Sequence, residues 1–352
     1  MTYRNLVFVL ALVGLSALTA ATAQRSPAPA DSTMRAVAAA KAFLASLDDG
    51  RRAKANIELN AKTRTVWSNL PSGATLQTGA TERNGLKLGD MTPAQEKAAL
   101  ALLGSTLSRD GFQKAMEIVE ADEVLEKGAA PKRPATSRTR FGRAEFYVAI
   151  LGAPSETEPW MLQFGGHHLA INVTLAGKQN VLTPTHTGTQ PASYSVDGRI
   201  VRPLGDENDK AFALVNALTA DQQKQAILGY EVRNIVLGPG TDGKVIQPEG
   251  VRGASLNASQ RTMLVDLARE WVAIIGDEAA AAKMKEIQGN LDETYFAWAG
   301  ATTNGKGAYF RIQGPTVVIE YAPQGQGDNN VDHIHTIYRD PTNDYAAKAI
   351  AR

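Results

Sequence analysis

Four of the five histidines fall in two tight pairs, Gly165-Gly166-His167-His168 and Asp332-His333-Ile334-His335. Histidine changes charge near neutral pH and is the commonest metal-binding side chain. Residues two apart on a strand share a face, so His333 and His335 are expected to reach one ion together. Two imidazoles on one face are costly to bury without a ligand or hydrogen-bond partners. A lone His-x-His is more often a solvated pair, and it is the second pair that shifts the balance toward a site. On a strand, His167 and His168 point to opposite faces, so only one of them is expected to join the other pair. Leu169, Ile171 and Val173 continue the His167 face, and Ala170 and Asn172 continue the more polar His168 face. The two glycines allow a close backbone approach or a bulge that re-aims the next residue.

His167, His168, His333 and His335 are therefore the candidate ligands for zinc or copper. His186, in the turn-rich Thr183-Pro184-Thr185-His186-Thr187-Gly188, could be another ligand but reads first as an exposed loop histidine. Glu320 and Glu293 are carboxylates that could complete a mixed ligand set or act as a general base. Each is also an ordinary partner for Arg311 or Arg339. Arg339 and Asp340 directly follow the His-x-His strand. They read either as a clamp for a carboxylate or phosphate at the mouth of the site, or as a latch holding the C-terminal segment. Glu320, Arg339 and Asp340 are taken as the candidate catalytic residues.

The elements that must position these residues read as α+β, with a mainly antiparallel sheet or sandwich. Residues 32–126 read as helical. Thr92-Pro93-Ala94-Gln95 is a clear start, with a capping threonine, proline at the first helical position and glutamine to close a capping box. Residues 145–185 are rich in strand patterns, 207–287 are a helical insertion, and 293–338 are strand-rich again. Residues 32–352 are expected to form one domain in which the two strand groups meet, and no repeat of short period is visible. The meeting of the strand groups would bring the histidine pairs together.

Arg4, an apolar run from Leu6 to about Leu18, and Ala21-Thr22-Ala23 have the form of a secretory signal, with cleavage expected after Ala23. Residues 24–31 read as a flexible leader. No later stretch is apolar and long enough for a span, which needs about 20 residues. The expected compartment is the periplasm or the medium. With no cysteine, disulfides, thiolate metal sites and cysteine nucleophiles are excluded. The net charge of +1 leaves no basic field for nucleic acid. No Gly-x-Ser-x-Gly elbow, phosphate loop or His-Glu-x-x-His helix is present.

Trp160–Leu169, Glu293–Trp298, Arg311–Pro315, Ile319-Glu320-Tyr321 and His333–Asp344 together resemble the family catalogued as domain of unknown function 3500. The resemblance extends from about residue 35 onward. It implies a bacterial, often exported protein and carries no activity. Three functional readings stand side by side. One is a metal-dependent hydrolytic or oxidative enzyme acting on a small molecule. The second is a non-catalytic binding protein for metal or a small anionic ligand. The third is a metal-free enzyme with histidine as general acid or base, assisted by Glu320 or Asp340.

Overall fold

The computed structural model describes residues 32–73, 83–324 and 330–350. The signal, its cleavage position and the leader lie outside the described residues. The expected α+β class is the observed one. Three long helices come first among the described residues: α1 (Ser32–Ala45), α2 (Pro93–Thr106) and α3 (Arg109–Ala129), with a short helical turn at Asp49–Ala55 after α1. Thr92 and Gln95 close the expected capping box on α2, and Ser108 caps α3 by accepting from Gly111 N–H. Four strands follow: β1 (Tyr147–Leu151), β2 (Trp160–Gly166), β3 (Leu169–Ala176) and β4 (Thr185–Thr189). The chain then repeats this plan. Helices α4 (Gly205–Ala217), α5 (Ala258–Val272) and α6 (Asp277–Gly289) precede β5 (Tyr295–Gly300), β6 (Ala308–Gly314), β7 (Val317–Pro323) and β8 (Ile334–Arg339).

Among the described residues these strands share one 12-stranded sheet, completed by short edge strands. The order of the eight main strands is β1-β2-β3-β4-β8-β7-β6-β5, so each half contributes a meander and the halves meet where β4 pairs antiparallel with β8. The strand order therefore reads the same from either edge. At the junction Thr187 faces Thr336, and their hydroxyls hydrogen-bond at 2.7 Å. The correspondence extends to details. Leu86 pairs with Val148 as Val251 pairs with Phe296. The residues before them, Gly85 and Gly250, have φ of +104° and +103°. In each, a Cβ would collide with a backbone carbonyl, that of Val148 or that of Phe296. Asn84 donates to Gln163 in the first half, and Arg311 donates to Glu249 at the matching place in the second. α5 starts from an Asn257/Gln260 capping box, as α2 does from Thr92/Gln95.

Strand alternation divides the sheet into two faces. Leu169, Ile171, Val173 and Leu175 of β3 join the large core with the helices, which also takes in Phe310, Ile319 and Trp271 from the second half. The opposite face carries Ala170, Val318 and Ile337 and is covered by irregular chain, including Trp67, Leu237 and Tyr345. The histidines lie at one end of the central strands.

Candidate metal centre

His167 and His168 do not begin a strand. They are the two residues of the β2–β3 hairpin loop, since Gly166 pairs directly with Leu169. His168 takes a left-handed backbone, φ 63°, and its N–H donates to the Asn69 carbonyl at 3.1 Å. This breaks the alternation on which opposite faces were expected. The two rings instead stack with centroids 3.6 Å apart, so both imidazoles enter the site.

His333 precedes β8 and reaches the same place. Its Nε2 lies 2.7 Å from Nε2 of His168. One ring nitrogen from each of His167, His168 and His333 lies within 4.8 Å of the other two. His335, on β8, is not in that group. It sits deeper, with its ring 4.9 Å from that of His333 and 5.1 Å from that of His168, and its Nδ1 is 3.3 Å from Asn234 Oδ1. The pair expected to chelate one ion is thus divided between an outer and an inner position.

His186 is not an exposed loop residue. It lies on β4, fully buried, with its ring 5.2 Å from that of His335. Neither of its ring nitrogens has a hydrogen-bond partner. Room for this packing comes from Gly188, which faces His335 across the β4–β8 pair. A Cβ there would fall 2.7 Å from the Ile334 carbonyl oxygen, 3.2 Å from His186 Nε2 and 3.3 Å from His168 Cδ2.

The residue that sequence reasoning missed is Asp122 on α3, which is 1% exposed. Its Oδ1 lies 2.6 Å from Nδ1 of His167, and its Oδ2 accepts from Gly142 N–H at 2.7 Å. A carboxylate oxygen accepts, so Nδ1 of His167 is the donor and Nε2 is the ring nitrogen turned toward the site. A carboxylate behind the far nitrogen is the usual orienting partner of a metal-bound histidine. One sequence signal pointed to it: Asp122 falls on the buried stripe of α3 with Ala115, Ile118 and Val119.

Burial sets the charge state. Desolvation holds His168 and His335 well below the usual histidine value, and the neighbouring imidazoles add to the effect. Burial brings His186 to about 3 and His333 to about 4. These rings are neutral at neutral pH, the form that binds metal.

Glu320, Arg339 and Asp340 are committed elsewhere. Glu320 is buried and accepts from Val236 N–H, Leu237 N–H and the Tyr309 hydroxyl. Arg339 donates to the Leu237 and Gly238 carbonyls and to Asp242 and Asp344. Asp340 accepts from Lys283 and from Thr342. None of the three hydrogen-bonds a histidine; they fasten the chain that covers the sheet. Glu293 is exposed in a short turn before β5.

A family model described as a protein of unknown function, DUF3500, matches residues 29–347. The chain belongs to the DUF3500 family. All five histidines and Asp122 of this DUF3500 protein lie within the matched span. No curated protein and no solved structure matches the chain. No helix among the described residues is long and apolar enough to cross a membrane.

Proposed function

We propose that this DUF3500 protein is an exported metalloprotein. It binds one divalent transition ion, zinc or copper, through His167, His168 and His333, and acts hydrolytically or oxidatively on a small molecule. The observation that carries the reading is the convergence of three ring nitrogens with a buried carboxylate behind one of them. Three protein ligands leave a coordination position for water or substrate, the pattern of catalytic rather than structural zinc. A metal there would supply Lewis acidity or an activated water at neutral pH. The protein's own part is to keep the His168 and His333 imidazoles neutral and to fix the His167 ring through Asp122.

One distance favours a second reading. Donors at 2.0–2.1 Å around a tetrahedral ion stand about 3.3 Å apart. The 2.7 Å between His168 and His333 is shorter, and suits a hydrogen bond between neutral rings. Loading an ion requires that contact to open by roughly half an ångström, a small rotation for the half-buried His333. Without an ion, the cluster would be a metal-free proton-relay or ligand-binding site.

Metal analysis of protein purified without a histidine tag separates the two. One equivalent of zinc or copper in the wild type, lost in His333→Ala and His167→Ala with the circular dichroism unchanged, is the expected result. A wild-type protein that takes up no ion after dialysis against either metal excludes the metal reading. Turnover on a panel of esters, amides and phenols, lost together with the metal, would separate an enzyme from a binding protein.

A further inference from the structure

At the far end of β8 from His335, a cavity of about 460 Å³ opens beside Arg339. It lies against the β6–β7 turn at Gly314 and Pro315, which corresponds in the second half to Gly166 and His167 of the first. Where one half presents histidines, the other presents a hollow. Its size is that of a small-molecule site.

Leu237, Ile246, Val318 and Tyr345 give the cavity apolar walls. Two polar atoms on its lining have no partner. Gln313 is 7% exposed; its amide donates to the Ile246 carbonyl at 2.7 Å, and its Oε1 is buried and unpaired. The Nε of Arg64 is likewise buried and unpaired, with the guanidinium 5.7 Å from the Tyr345 ring centroid. The buried guanidinium on the lining, Arg339, is already neutralised by Asp242 and Asp344. The cavity therefore holds a free acceptor in Gln313 and, in Arg64, a cationic donor that no carboxylate pairs, while Lys244 adds a second cation at its exposed edge. Orphaned polar groups in a native interior mark a missing partner.

We propose that this cavity binds a small amphipathic carboxylate. Its carboxylate pairs with Arg64, an O–H or N–H of its body donates to Gln313 Oε1, and its apolar or aromatic body packs on Ile246, Val318 and Tyr345. The site is distinct from the histidine centre and does not depend on metal.

The test is calorimetric titration of the full chain with 4-hydroxyphenylacetate and indole-3-carboxylate. Each carries one carboxylate and one ring donor. Saturable binding of at least one is expected, weaker by about tenfold for its primary amide analogue and for Arg64→Gln. Gln313→Leu is expected to weaken the same probe by a similar factor. If Arg64→Gln does not fold, the comparison of acid with amide on the wild type reads the same contact. Binding should be retained in His333→Ala, whatever the metal content. The assignment is overturned if neither probe binds at millimolar concentration, if both variants bind the probe as the wild type does, or if His333→Ala abolishes binding.

Discussion

Asp122 makes the clearest prediction at the scale of single residues. It touches no candidate ligand atom; it reaches the far nitrogen of His167 and accepts from Gly142 N–H. Asp122→Asn should therefore keep the fold and weaken metal affinity by about 10–100-fold. Competition with a chromogenic chelator would measure this, and wild-type affinity in the variant would show that Asp122 does not orient a ligand. The buried rings also make stability depend on pH. His186 and His333 have folded values near 3 and 4 against an ordinary 6.5, because burial disfavours their charged forms. Between those values and 6.5 the unfolded chain binds more protons than the folded one, so stability is fully present above 6.5 and falls as pH drops through that window. The slope approaches about 1.4 kcal/mol per pH unit for each fully buried histidine. Urea titrations of metal-free protein from pH 7 to 4 should show it, and a flat profile would contradict neutral burial. The two histidine pairs were legible as letters in the sequence. The left-handed turn at His168 was not, because a two-residue loop and the first residues of a strand have the same composition. Asp122 was hidden among the acids of α3, where only its place on the apolar stripe distinguishes it.

At the scale of elements, β4 is the one of the eight main strands that sequence patterning located least well. Asn180–Thr185 reads as the strand and Thr183–Gly188 as a turn-rich segment, whereas the strand runs from Thr185 to Thr189. The reason is that neither of its faces is apolar. Thr187 turns toward the hydroxyl of Thr336, which also accepts from the Trp271 indole N–H at 2.8 Å. His186 and Gly188 turn toward the histidine cluster. A strand that spends one face on hydroxyls and the other on imidazoles shows no alternation of hydrophobic and polar residues. The strands that build the core, such as β3 and β7, were legible because they do alternate or run apolar. This account makes Gly188→Ala informative. The added methyl meets the Ile334 carbonyl and two imidazoles, so the substitution should cost about 1–3 kcal/mol of stability through overpacking. It should also lower metal affinity by displacing the His168 ring. A Gly188→Ala protein with wild-type melting and wild-type metal binding would show that the cluster is looser than its packing implies.

At the scale of the whole molecule, the two halves share a plan that the linear sequence conceals. The spacing between matching residues shifts from 165 at Gly85 and Gly250 to 148 at Gln163 and Arg311, and few matches preserve residue type. Gly85 and Gly250 are among those that do, because a positive φ against a carbonyl admits no side chain. Elsewhere only the role is kept: Asn84 and Gln163 on one side, Glu249 and Arg311 on the other. The halves are joined by one antiparallel pair at the centre of a common sheet and by one core that draws on both. That arrangement gives neither half a separate interior, so the protein is expected to unfold as a unit. The Thr187–Thr336 pair is the place to test it. Thr336→Val keeps the shape and removes the hydroxyl, leaving the Trp271 indole N–H and the Thr187 hydroxyl buried without their partner. Each such loss costs about 1–3 kcal/mol. If the sheet is one cooperative structure, the variant shows a single transition at lower denaturant, coincident by far-ultraviolet circular dichroism and tryptophan fluorescence. Trp160 reports on the first half and Trp271 and Trp298 on the second, so halves that come apart in sequence would separate the two signals into distinct transitions.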